Sequence, residues 1–224
     1  MKLIRNFFRF IKIKHVILKY DLLQIVVDYS NSKFIKSINF FNPWHYSKIS
    51  KKYSQGVRLR LSLEELGPIF VKFGQLLSTR PDLFPASVIE ELRLLQDKVK
   101  PFDTALVHKE LERSYGKNYK KVFLDFNYKP IAAASIAQVH FAKLQDNTEV
   151  AVKILRPNIV KQISKDVDLL KAIVRVLALV WSNIKRFRLP EVVNEFERTL
   201  DDELDLLKEA ANASQLKRNF KDSD

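Results

Sequence analysis

The residues best suited to chemistry in this 224-residue chain are a few lysines and carboxylates in short, distinctive patterns. Lys153 ends the apolar run Val150-Ala-Val-Lys153, which predicts a strand with a lysine among side chains that are otherwise buried. Such a lysine can bind phosphate groups if a carboxylate holds it in place. The alternative is an edge lysine whose stem packs on the protein while its ammonium reaches water.

A stretch of small residues precedes this strand by about twenty positions, at residues 130–140 (PIAAASIAQVH). Protein-kinase-like sites place a glycine-rich loop over the phosphates there, and this chain has none. Three consecutive alanines still permit a close approach of the backbone, and Ser135 and Gln138 can donate hydrogen bonds. Because alanine lacks the freedom of glycine at positive φ, the loop should be stiffer. The alternative is a tight turn between strands, filled with small residues.

Two further clusters lie on predicted helices. Lys72 and Gln75 are three residues apart and share one helix face, and Gly74 between them allows another backbone to approach. Near the C-terminus, Glu203 and Glu209 are six residues apart, which is about 600° of helix rotation, so they should address different partners. The alternative for these acids is a solvated helix face.

The composition excludes several chemistries. The chain has no cysteine, only four histidines and no H-E-x-x-H pattern, so thiol nucleophiles, cysteine-based zinc sites and iron–sulfur clusters are excluded and no metal site is predicted. It also lacks a G-x-G-x-x-G dinucleotide fingerprint and a His/carboxylate triad for iron, which argues against a hydroxylase.

Positive charge is concentrated at the N-terminus. Residues 1–60 hold 13 basic and two acidic residues, whereas the rest of the chain is nearly neutral. The first twenty residues form a basic amphipathic pattern that suits an anionic membrane surface, although its charges are too frequent for a signal peptide or a membrane span. The alternative is a helix packed on its own domain. Nucleic-acid binding is disfavoured, because the basic residues lie among core-type apolar positions.

These residues need elements to position them, and the periodicity predicts helices, a small antiparallel sheet and further helices, an α+β arrangement. Basic helices broken at Asn42-Pro43 precede a capping box at Ser62 and Glu65, and Gly67-Pro68 marks a stop and restart. The predicted later helices cover residues 68–77, 86–98, 104–115, 157–181 and 190–217. The predicted strands cover residues 122–126, 135–144 and 149–155, with a hairpin turn at Asp146-Asn147.

Four blocks in the same order resemble the UbiB family of atypical protein-kinase-like ATPases, which support ubiquinone biosynthesis. They are Lys72-Phe-Gly-Gln75 (its KxGQ motif), the alanine-rich loop, Val150-Ala-Val-Lys153 and Glu203-Leu-Asp205 (its ExD motif). The resemblance covers the chain from about Leu59 to its last residues. Together with the charge pattern of the N-terminus, it divides the chain into three segments: a basic amphipathic helical segment (1–60), a helical KxGQ extension (61–118) and a partial kinase-like N-lobe (119–224).

The resemblance also implies roles. Lys72 and Gln75 would cover the nucleotide pocket, with Glu203 and Asp205 of the ExD motif holding that helix and Glu203 contacting Lys72. Lys153, paired with Glu209, would bind ATP together with the loop residues Ile131, Ala132, Ala133, Ala134, Ser135, Ile136, Ala137, Gln138 and Val139. The Mg²⁺ ligands, the catalytic-loop aspartate, the C-lobe and the hydrophobic anchor helices would lie beyond residue 224.

The function expected from this resemblance is an ATP-binding kinase or ATPase that supports the aerobic hydroxylation stage of ubiquinone biosynthesis. It would act at the cytoplasmic face of the bacterial inner membrane, peripherally in this chain, with ATP and the anionic surface as partners. The alternative is a non-enzymatic membrane-surface module that binds lipid, polyprenylphenol intermediates or biosynthetic enzymes and does not need Lys153.

Overall fold

The computed structural model describes residues 2–29, 37, 48–96, 99–180 and 188–221. The predicted break at Asn42-Pro43 lies outside these residues. The helices are α1 (Lys2–Lys19), α2 (Leu22–Tyr29), α3 (Lys48–Lys52), α4 (Gln55–Leu66), α5 (Pro68–Ser78), α6 (Ala86–Arg93), α7 (Thr104–Tyr115), α8 (Ile159–Val180), α9 (Leu189–Leu204) and α10 (Leu206–Asn219). The strands are β1 (Phe123–Phe126), β2 (Ala132–Ala133), β3 (Ala137–Leu144) and β4 (Glu149–Leu155). The α+β fold class is therefore confirmed.

The sheet is antiparallel and has β3 at its centre. β4 pairs along one edge of β3, while β1 and the short β2 pair with different parts of the other edge. The predicted hairpin turn is present: Asn147 adopts a positive φ of 64°, and the carboxylate of Asp146 accepts a hydrogen bond from the Thr148 backbone N–H at 3.0 Å. The sequence analysis missed β2, because two alanines carry no strand pattern, and it began β3 two residues too early.

The helix around Ser62 begins earlier than predicted. Ser54 is the N-cap of α4, since its hydroxyl accepts a hydrogen bond from the Val57 backbone N–H. Ser62 lies buried inside the helix and its hydroxyl donates to the Leu59 carbonyl, so the capping box at Ser62 was wrong. The stop at Gly67 is confirmed: this residue has φ of 112°, and Pro68 begins α5.

Two hydrophobic clusters organise the described residues. The larger one joins α1, α4, α5, α6, α8 and α9, and it also includes Ile136 and Ala137 at the start of β3. The smaller one joins α7 to the sheet through Val107, Leu111 and Ile154. The predicted boundary at residue 60 falls within α4, and the division into three segments stays a prediction.

The predicted C-terminal helix is in fact two helices. α9 ends at Leu204, Asp205 has φ of −83° and ψ of 81°, and the Asp205 side chain then caps α10 by accepting from the Lys208 backbone N–H. The 600° argument for Glu203 and Glu209 assumed one continuous helix and does not apply, although the two glutamates do contact different lysines, Lys72 and Lys153. The aspartate itself provides the physical reason: it stabilises a new helix start at the residue where the first helix ends.

The basic helix α1 packs on the rest of the protein. Ile13, Val16 and Tyr20 are buried in the larger cluster. Arg9 forms two hydrogen bonds of 2.9 Å with the carboxylate of Asp166 in α8, and the burial of that carboxyl group raises its pKa. The packed-helix alternative thus holds for this part of α1, although Phe10 and the neighbouring Ile11 remain exposed.

Candidate functional site

A cavity of about 500 Å³ opens between the start of β3, the end of β4 and the α9–α10 junction, and α5 covers one side of it. Its lining combines small residues from the alanine-rich loop with charged residues from the helices. The lining residues are Lys72, Ala134, Ser135, Ile136, Ala137, Lys153, Thr199, Asp202, Glu203, Lys208, Glu209 and Asn212. Sequence blocks that lie far apart in the chain therefore meet at one cavity.

Lys153 lies on β4, paired in the sheet with Val139 of β3. Its ammonium donates to both carboxylate oxygens of Glu209 in the first turn of α10, at 2.9 and 2.7 Å. The lysine is about one-third exposed, so it is neither buried nor free at the sheet edge. The two hydrogen bonds position the Lys153 ammonium at the cavity wall.

The alanine-rich loop forms a tight turn over the cavity. The backbone N–H of Ala134 donates to the Ala137 carbonyl at 2.8 Å, and Ser135 is buried. Arg156, directly after β4, anchors the loop because its Nε donates to the Ala134 carbonyl and its Nη2 to the Lys100 carbonyl. The sequence analysis did not single out Arg156. Its position directly after the strand that carries Lys153 could have indicated that it lies near the cavity.

Only the centre of the predicted loop lines the cavity. Ala132 and Ala133 form β2, where they pair with Val139 and Gln138, and Ile131 is half exposed. Of the nine loop residues that the resemblance implied, only the four at 134–137 line it.

Gln138 is buried away from the cavity and has a structural partner at each end. Its Oε1 accepts from the Phe102 backbone N–H at 3.0 Å, and its amide nitrogen donates to His140 Nε2 at 3.0 Å. His140 Nδ1 in turn donates to the Asn127 carbonyl at 2.9 Å. This chain of hydrogen bonds ties the segment before α7 to the sheet, so the expected role of Gln138 as a donor to the ligand does not fit its position.

The KxGQ residues separate into two environments. The Lys72 ammonium lies 2.5 Å from Glu203 Oε1 at the cavity, whereas the amide of Gln75 donates to the Leu95 carbonyl at 3.2 Å and does not line the cavity. Gly74 is surrounded by the side chains of Leu63 and Leu95 rather than by another backbone. The motif therefore both packs α5 against its neighbours and brings Lys72 to the cavity.

The ExD residues also separate. Glu203 contacts Lys72, while Asp205 serves as the cap of α10 and does not line the cavity. The sequence analysis missed a third lysine, Lys208, whose ammonium lies 2.5 Å from Asp202 Oδ1. This hydrogen bond raises the pKa of Lys208, so the side chain stays protonated. Because Lys208 directly precedes Glu209 in the sequence, it could have been predicted to lie near the cavity.

The described residues contain no group of three or more histidine, aspartate or glutamate side chains arranged to hold a metal ion. Mg²⁺ ligands beyond residue 224 stay a prediction. Among the same residues, no helix is both long and apolar enough to cross a membrane.

The small antiparallel sheet, the strand lysine paired with a helix glutamate and the loop above them define an atypical kinase-like N-lobe. In agreement, residues 94–224 match the model of the ABC1 atypical kinase-like domain. The chain belongs to this family, and the UbiB resemblance is confirmed by its relatives.

Two relatives illustrate the similarity. The chain is 43% identical over 216 residues to the "Probable protein kinase UbiB" of Pseudomonas fluorescens (strain Pf0-1), covering 96% of this chain and 40% of that protein. It is 43% identical over 225 residues to the protein of the same name from Pseudomonas aeruginosa (strain UCBPP-PA14), covering 100% of this chain and 42% of that protein. The chain thus spans about two-fifths of the length of these relatives.

A solved structure is also similar. It is the complex of Rv3197 with erythromycin from Mycobacterium tuberculosis, which is 31% identical, with a TM-score of 0.48, over 67% of this chain and 38% of that one.

Proposed function

We propose that the cavity binds the phosphates of ATP, as the N-terminal part of a UbiB-type kinase or ATPase that supports ubiquinone biosynthesis. The observation that carries this proposal is the ion pair of Lys153 and Glu209 beneath the alanine-rich loop. A kinase-like site needs a lysine fixed on a strand by a helix glutamate, so that the ammonium contacts the phosphates in a defined direction. The family and the names of the relatives support a phosphotransferase-type activity.

The rest of the activity is proposed for the full-length protein. ATP would be used with Mg²⁺, and the full-length protein would supply the metal ligands and the catalytic aspartate. This activity would support the aerobic hydroxylation stage of ubiquinone biosynthesis, at the cytoplasmic face of the bacterial inner membrane. Biosynthetic enzymes or polyprenylphenol intermediates are the partners that this role requires.

Nucleotide binding by this chain tests the proposal directly. A fluorescent ATP analogue is titrated with and without Mg²⁺ into the wild type and Lys153→Ala, with Lys143→Ala as the control, since Lys143 is an exposed lysine on the neighbouring strand. We expect Lys153→Ala to weaken binding at least tenfold, because a charge-assisted hydrogen bond to phosphate is lost. Unchanged binding in Lys153→Ala, or no binding by the wild type at millimolar concentration, would overturn the proposal.

A second candidate function is a membrane-surface module, and the exposed side of α1 favours it. Phe10 and Ile11 are exposed there beside the exposed Lys12 and Lys14, which is the chemistry of an interfacial helix on anionic lipid. Flotation with vesicles of anionic or neutral lipid tests the contact with the membrane. Complementation by a full-length protein carrying Lys153→Ala separates the functions: lost complementation favours nucleotide use, and retained complementation favours the module.

A further inference from the structure

The cavity wall carries as many negative as positive side chains. Each of its lysines contacts one carboxylate, in the pairs Lys72–Glu203, Lys153–Glu209 and Lys208–Asp202. Every ammonium already has an anionic partner, so a lysine that keeps its carboxylate shares its charge between that carboxylate and a phosphate, whereas a lysine that exchanges its carboxylate gives the phosphate its whole charge. The question is which lysine exchanges its partner most readily.

The three pairs differ in their protection from water. The lysine and carboxylate side chains are 20% and 32% exposed in the Lys72 pair, 34% and 51% in the Lys153 pair, and 54% and 65% in the Lys208 pair. Solvent screens an exposed ion pair, so the pair contributes little to stability and separates easily. Lys208 is therefore the lysine of this cavity that exchanges its carboxylate most readily.

The backbone of Lys208 is fixed even though its side chain is not. Its N–H donates to the capping carboxylate of Asp205 at 3.0 Å, which holds the residue in the first turn of α10, directly before Glu209. The ammonium can therefore leave Asp202 by rotation of the side chain alone, while the helix stays in place. No buried side chain has to move for this exchange, since α10 has none.

We propose that Lys208 is a second phosphate-binding lysine of the cavity, in addition to Lys153, and that Asp202 holds its ammonium until the phosphates of a nucleotide take the place of that carboxylate. This inference rests on the proposed function and adds a residue to it. The competing explanation is that Lys208 only fastens α10 to α9 through Asp202. If Lys208 binds phosphate, removal of the Asp202 charge should strengthen phosphate binding. If Lys208 only fastens α10, the same change should not strengthen it.

The test measures the binding of two probes, the fluorescent ATP analogue and inorganic tripolyphosphate, to purified variants of the 224-residue chain. The variants are Lys208→Gln, Lys208→Arg and Asp202→Asn, with Lys217→Gln of the same helix and the exposed Asp201→Asn as controls for the loss of one charge. Thermal unfolding of each variant verifies that it is folded.

We expect Lys208→Gln to raise the Kd for both probes about fivefold to twentyfold, because one charge-assisted contact is lost. Lys208→Arg should stay within about threefold of the wild type. Asp202→Asn should lower the Kd about twofold to fivefold, because the competitor for the ammonium is removed. The two control variants should change the Kd by less than about twofold, since exposed charges farther away are screened.

Unchanged binding in Lys208→Gln would overturn the inference, and so would an Asp202→Asn variant that binds as weakly as Lys208→Gln. If Lys153→Ala abolishes binding while Lys208→Gln does not affect it, the proposed function stands without Lys208. If tripolyphosphate binds in a Lys208-dependent way and the nucleotide does not bind, the phosphate contact stands and the proposed function fails.

Discussion

The ammonium of Lys72 lies 2.5 Å from the carboxylate of Glu203, a residue 131 positions later in the chain. This contact joins α5, which precedes the sheet, to the end of α9, which follows it, and it does so at the edge of the cavity. Both side chains are only partly exposed, at 20% and 32%, so water screens the pair less than it screens most surface pairs. The pair therefore ties α5 to the end of α9 at the edge of the cavity.

Charge reversal at this pair should destabilise the protein and change access to the cavity. Lys72→Glu places two carboxylates together, and we expect a loss of about 1–2 kcal/mol, or about 2–8 °C in Tm. The double variant Lys72→Glu/Glu203→Lys should recover at least half of the loss. Nucleotide association, followed by stopped-flow fluorescence, should be several-fold faster in the single variant, because α5 is no longer held over the cavity.

The matched control is the Lys171–Glu197 pair, which has a distance of 2.6 Å, joins α8 to α9 and does not line the cavity. Lys171→Glu should lower the Tm by a similar amount and leave the association rate unchanged. Equal rate changes at the two pairs would contradict a specific effect of Lys72 and Glu203 on the cavity.

Replacing Gln138 should affect stability more than ligand affinity. Gln138→Ala leaves the Phe102 N–H and the His140 Nε2 without the partners that they have in the structure. Leaving a buried polar group without its partner lowers the free energy of unfolding by about 1–3 kcal/mol. We therefore expect a loss of about 2–6 kcal/mol by urea denaturation. Lys143→Ala on the same strand, where the side chain is exposed, should change the stability by less than about 0.5 kcal/mol. A stable Gln138→Ala variant that had lost only nucleotide binding would restore Gln138 to the ligand site.

Gln138 also illustrates what the sequence could and could not predict. Hydrophobic periodicity and turn residues predicted most helices, the β3–β4 hairpin and the α+β class, and the family resemblance implied the Lys153–Glu209 and Lys72–Glu203 contacts that are present. The direction in which a polar side chain on β3 points depends on the strand register and on the segment before α7, which no local pattern encodes. The break at Asp205 was not predicted either, because the helical spacing of apolar residues in the sequence continues from α9 into α10.

Gly74→Ala should be destabilising, although alanine favours helices. An added Cβ at this position would overlap the side chains of Leu63 and Leu95, both of which are buried in the larger core cluster. Overpacking of this kind costs about 1–3 kcal/mol, which corresponds to about 2–12 °C in Tm for a chain of this size. Thermal unfolding followed by circular dichroism measures the change. A Tm equal to or above that of the wild type would mean that the two leucines adjust at little cost.

The attachment of α1 to α4 should weaken in acid. The carboxylate of Glu65 accepts hydrogen bonds from Lys19 at 2.6 Å and Tyr20 at 2.8 Å, and the Lys19 contact lowers the pKa of Glu65 below its ordinary 4.5. Because the unfolded chain then binds this proton more tightly than the folded one, the stabilisation is present above pH 4.5 and is lost as the pH falls through the lowered pKa. Glu65→Gln should therefore reduce the Tm at pH 7 by up to about 4 °C, for a partly exposed pair worth up to about 1 kcal/mol, and the difference from the wild type should narrow as the pH falls below 4.5. Thermal unfolding at several pH values, with the exposed Glu64→Gln as the control, measures this difference. A gap that did not change with pH would show that Glu65 does not act through its charge.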